Sequence, residues 1–85
     1  MNPPEPRKLR TLDVRPLLAR GEEPLTKIME TFAALRPNEN LLLISPFLPS
    51  PLIEKLGSEG FKAHPERASD GSWRTRFVRG EGGLV

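Results

Sequence analysis

Short apolar runs alternate along the chain with breaks marked by proline and glycine, and the period of each run predicts its element. Over residues 10–15, Leu12 and Val14 alternate with Thr11, Asp13 and Arg15, which predicts a strand with one buried face, ended by Pro16. Leu17, Leu18 and Ala19 read as a short turn folded back on the core. Gly21 then supplies the backbone freedom for a sharp turn into a helix. Pro24 takes a first-turn position, where its missing N–H removes nothing the helix needs. Leu25, Ile28, Met29, Phe32 and Leu35 fall on one stripe, with Lys27, Glu30 and Thr31 off it and Pro37 beyond its end. Glu23 and Lys27 are spaced for an ion pair one turn apart.

Leu41-Leu42-Leu43-Ile44 lacks alternation, the pattern of a central strand in a parallel or mixed sheet. Ser45-Pro46-Phe47-Leu48-Pro49 is a stiff connection. Beyond it Ser50 is placed to cap, and Pro51 to open, a second helix carrying Leu52, Ile53 and Leu56 and ending at Gly57 or Gly60. Residues 61–68 and 73–78 read as two strands joined around Ser69-Asp70-Gly71-Ser72, a hairpin signal. Pro65 has no N–H to give a ladder, so its strand belongs at an edge or carries a bulge.

The predicted order is strand-helix-strand-helix-strand-strand. Right-handed crossovers put both helices on the same side, so the expected fold is an α/β (α+β) two-layer sandwich: a four-stranded mixed sheet with two helices on one face. Residues 1–9, rich in proline, are expected to form a flexible arm, residues 10–79 a single domain and residues 80–85 a flexible tail.

Composition narrows the chemistry. Thirteen basic against eleven acidic residues leave a net charge of +2, far from the basic stripe of a dedicated nucleic-acid binder. The absence of cysteine removes disulfides, thiol redox chemistry, thiolate catalysis and a cysteine zinc site together. His64 is the one histidine, flanked at alternating positions by Lys62 and Glu66, and reads as a solvated strand residue. Neither a catalytic constellation, a metal set nor a cofactor motif is visible. The first residues lack the apolar core of a signal peptide and no run approaches membrane-spanning length, so the expectation is a cytoplasmic protein without membrane association.

Two surfaces remain as binding candidates. The first is the start of the first long helix: Gly21, Glu22, Glu23 and Pro24, where the two carboxylates are explained by the positive end of the helix dipole. The second is the open face of the sheet. If Trp73, Thr75 and Phe77 face the helices, then Asp13, Arg15, Lys62, His64, Arg74 and Arg76 share the other side, beside alternate members of the run at residues 41–44. The apolar strip suits cover by the proline-rich arm, a second copy of the chain or another protein, and the basic residues beside it suit RNA or an acidic protein. Phe47 and Leu48, held between prolines, form a further contact candidate.

Leu12-Asp13-Val14-Arg15, Glu23-Pro24-Leu25, Pro49-Ser50-Pro51-Leu52, Gly60-Phe61 and Trp73-Arg74-Thr75-Arg76-Phe77 occur in an order and spacing that resemble the TusA-like (SirA-like) superfamily, in its uncharacterised branch without the sulfur-carrying cysteine. In the sulfur carriers a Cys-Pro-x-Pro motif opens the first helix, and its thiol accepts and passes on a persulfide sulfur. Pro24 matches the second proline; Gly21 stands where the cysteine would be and Glu22 where the first proline would be. The resemblance therefore implies the fold without sulfur transfer. The expected function is a small non-catalytic binding or adaptor domain engaging another protein or itself, with RNA binding through the basic open face as the alternative.

Overall fold

The computed structural model describes residues 8–79. Four strands and three helices follow one another as β1 (Lys8–Asp13), α1 (Arg15–Ala19), α2 (Leu25–Ala34), β2 (Glu39–Ser45), α3 (Ser50–Gly57), β3 (Phe61–Arg67) and β4 (Trp73–Arg79). The sheet order is β1-β2-β4-β3, with β1 and β2 parallel and the other two pairings antiparallel. The mixed four-stranded sheet and two-layer architecture agree with the reading from sequence.

Register explains the layers. Leu41 lies opposite Phe77 and Leu43 opposite Thr75, and all four are at most 1% exposed. Because side chains alternate along a strand, this is the covered face. Ile28 and Phe32 of α2 and Leu52 and Leu56 of α3 join Leu41, Leu43 and Phe77 in one buried cluster, so both long helices cover the same side. The Phe32 ring meets Phe61 and Phe77 edge-on, at centroid distances of 4.9 and 5.3 Å, the arrangement aromatic quadrupoles favour. Arg79 closes the far end, its guanidinium over the Phe61 ring and donating to the Leu35 carbonyl.

Several local readings change. β1 starts at Lys8, inside the stretch expected to be an arm, because the Lys8 N–H donates to the Asn38 carbonyl and begins the ladder with β2. The remainder of that arm and the tail fall outside the described residues. β1 also ends sooner: Arg15 is the first residue of α1, and the segment expected to be a turn is a five-residue helix with Pro16 in its first turn. Val14, between strand and helix, is 2% exposed and donates its N–H to Ile44, so it still fills the core. Ser50 does not cap α3; the helix includes it, and no side chain caps that end. Pro65 does sit on an edge strand, paired with Thr75 on its one neighbour, β4.

Thr75 carries a cost. Its hydroxyl is fully buried and has no hydrogen-bond partner among the described residues. A buried, unsatisfied polar group costs about 1–3 kcal/mol, so Thr75→Val, which keeps the shape and removes the hydroxyl, is expected to stabilise the domain by about 1 kcal/mol. Denaturant unfolding of the two proteins measures this; a lower midpoint for the variant would mean that the hydroxyl is satisfied.

Candidate functional site

The first candidate surface, the junction before α2, is closed by its own side chains. Gly21 adopts φ +74°, the left-handed region that favours glycine, and its N–H donates to Leu18 while that of Glu22 donates to Leu17, ending α1. Glu22 accepts from Arg20 Nε at 2.7 Å. This bond holds the Glu22 carboxyl below its ordinary pKa. Glu23 turns onto the helix start, accepting from the Leu25 N–H at 2.6 Å and the Thr26 N–H at 3.3 Å. It makes no ion pair with Lys27 among the described residues, because capping the orphan amides occupies its carboxylate. Pro24 immediately precedes Leu25, and its carbonyl accepts from the Ile28 N–H. Two of the first-turn amides that would receive an external anion, those of Leu25 and Thr26, are thus already used.

On the open face the structure brings most of the predicted residues together. Thr11, Leu42, Arg76 and His64 form one cross-strand row, and Asp13, Ile44, Arg74 and Glu66 the next, while Lys62 is two residues from His64 on the same side. Arg15 is helical and so outside the rows, but its guanidinium joins them at Asp13. It folds back onto Asp13 as a two-pronged pair, Nε to Oδ1 at 2.9 Å and Nη2 to Oδ2 at 2.8 Å, and its Nη1 reaches Asp70 at 3.4 Å. Arg15 therefore ties the end of β1 to the β3–β4 hairpin. Carboxylates of Asp13, Glu66 and Asp70 stand among the cations, and His64 is the one aromatic ring in these rows. The face is mixed in charge.

These contacts set a pH dependence. The Arg15 hydrogen bond lowers the Asp13 pKa against the opposing effect of burial, Ser72 lowers that of Asp70, and the Arg36 N–H followed by the Arg10 charge lowers that of Glu39. Depressed carboxyl pKa values contribute stability that is present above the unfolded values, near 4, and is lost as pH falls through the folded ones. Thermal midpoints are expected to be flat from about pH 7 to 5 and to fall below about pH 4. Asp13→Asn flattens that fall, and a midpoint rising on acidification contradicts it.

The third feature is one that sequence reasoning largely missed: a cavity of about 310 Å³ beside the Pro24 junction, at the carboxyl ends of the parallel pair β1 and β2. Val14, Ile28, Leu43 and Leu52 form its buried walls, and Leu18, Pro24 and Pro49 complete the apolar lining. Its mouth carries Leu25, 45% exposed, and Phe47, 54% exposed. Leu25 lies at the edge of the α2 stripe and does not reach the core; it borders open space instead. The loop bearing Phe47 is fixed from below, since the Ser45 hydroxyl donates to the Phe47 carbonyl at 2.7 Å. The sequence signal was the apolar pair Phe47-Leu48 confined by Pro46, Pro49 and Pro51. Lys55 is the one titratable residue in the lining.

Such a lining can exclude water and hold an apolar group; of its two polar members, Ser45 spends its hydroxyl on the Phe47 carbonyl and Lys55 is half exposed. Among the described residues no cluster of three or more potential metal ligands occurs, and no helix is long and apolar enough to cross a membrane. One family model, described as an uncharacterized conserved protein (DUF2249), matches residues 11–79. No curated protein and no solved structure matches.

Proposed function

The chain belongs to this uncharacterised conserved family (DUF2249), and from that premise we propose that it is a non-catalytic binding domain which receives an apolar group in the cavity beside the Pro24 junction. The observation that carries this reading is the cavity itself: buried aliphatic walls, an exposed Leu25 and Phe47 at the mouth, and a volume at the lower end of the range used for small ligands. Exposed apolar side chains gathered at a concave site favour binding over a purely structural role.

The likeness to TusA-like sulfur carriers is part of the proposal and concerns architecture alone. In that comparison the cavity adjoins the helix start from which a carrier would present its thiol, and Gly21 leaves that position without a reacting group. The domain would then keep a docking site while losing the transfer chemistry. A protein side chain or a small molecule can each supply the apolar group. RNA binding through the open face is the weaker reading, because no Phe, Tyr or Trp platform stands in the cross-strand rows and carboxylates interrupt the cations.

The test is a titration of the full chain with octan-1-ol, followed by the methyl resonances of Leu18, Leu25, Ile28, Leu43 and Leu52. Saturable shifts at these residues are expected. Shifts confined to Leu42 and Ile44 would transfer the site to the open face, and no saturable shift would reject the cavity as a binding site.

A further inference from the structure

We infer that the cavity takes an amphipathic monocarboxylate, its chain among the aliphatic walls and its carboxylate on Lys55; this rests on the binding reading above and names the ligand class. The lining is apolar apart from Ser45, whose buried hydroxyl is spent on the Phe47 carbonyl, and Lys55. Among its lining residues Lys55 alone is ionisable, and its side chain is 51% exposed, so the ammonium stays in water while its stem borders the cavity. The nearest carboxylates of the junction do not line the space: Glu22 is held by Arg20 and Glu23 by the α2 amides.

Lys55 is also loosely held. Its partner is Glu59, one turn along α3, at 3.8 Å, with both side chains about half exposed. A pair of that kind contributes little, and a ligand carboxylate arriving from the cavity can replace Glu59. Size sets the chain length. At about 30 Å³ per water-sized unit, 310 Å³ admits roughly ten such units. A straight-chain acid of about eight carbons therefore matches the space. A bare carboxylate such as acetate leaves most of the apolar wall unused.

Octanoate and octan-1-ol, both kept below their aggregation limits, separate the charge from the apolar contact. Octanoate is expected to bind about two- to fivefold tighter than the alcohol, the range of an exposed charge contact. Lys55→Gln should erase that preference, and Glu59→Gln, outside the lining, should tighten octanoate alone by freeing the ammonium. Lys55→Gln lies on an exposed face of α3, so folding is not at stake. Equal affinities for acid and alcohol, unaffected by either substitution, overturn the carboxylate assignment and leave the cavity reading standing. If neither compound binds, the cavity reading falls with it.

Discussion

Phe77→Ala is expected to leave the domain largely unfolded at moderate temperature. The side chain is fully buried, stands edge-on to Phe32, and lies between Leu41 and Ala63 in the ladder. Truncating a buried phenylalanine costs about 3–5 kcal/mol, from lost transfer energy and the void left behind. A domain of this size has a total stability at the low end of about 5–15 kcal/mol. Each kcal/mol lowers the melting temperature of a small domain by about 4–8 °C, so a drop on the order of 15 °C or more should appear in a circular dichroism melt. Phe77→Leu retains most of the volume and should recover the greater part of the loss. A melt for Phe77→Ala within a few degrees of the parent would show that the three-phenylalanine cluster is not the centre of the fold.

Replacing Leu25 and Phe47 together by serine should do the opposite, sparing the fold and removing binding. Both side chains are about half exposed and neither belongs to the buried cluster. Surface changes of this kind usually stay within about 0.5 kcal/mol each. Fully burying such side chains contributes about 1.5–3 kcal/mol apiece. A ligand covering part of each would then gain about 2 kcal/mol from the pair, or roughly thirtyfold in affinity. The measured outcome should be an unchanged melt with at least a tenfold weaker octan-1-ol titration. An intact fold with unchanged affinity would separate the exposed rim from any binding role.

The contrast between these two substitutions reflects how the α2 stripe is divided. Periodicity put Leu25, Ile28, Met29, Phe32 and Leu35 on one side, and for Ile28, Phe32 and Leu35 that side is the core. Leu25 has the same spacing and a different fate. The sheet's cover ends one turn before it, where α1 and the loop of Phe47 leave a cavity. Periodicity specifies a face of a helix; it carries no information on how far the opposing surface extends.

Arg15 shows the same limit from the polar side. Alternation with Asp13 placed it on the open face, but Pro16 favours a helix start, and the chain turns as soon as Val14 has filled the core. The guanidinium then finds Asp13 and, fifty-five positions along the chain, Asp70. Contacts at that separation are set by the sheet order and have no local signal. Glu23 is the reverse case: its spacing from Lys27 suggested an ion pair, whereas its carboxylate accepts from the Leu25 and Thr26 amides at the start of α2.

The order of the four strands and the two long helices, the mixed sheet, the restriction of Pro65 to an edge or a bulge and the lack of thiol chemistry were all determined by the sequence, because each follows from local residue type or from a rule of chain handedness. The tertiary structure alone decided that the helix start before Leu25 is capped by Glu23, that the cations of the open face are interleaved with carboxylates, and that an apolar cavity opens beside Pro24. A cavity is the volume that several elements fail to fill, so its position depends on how α1, α2, β2 and the loop before α3 pack together, and no one segment encodes it.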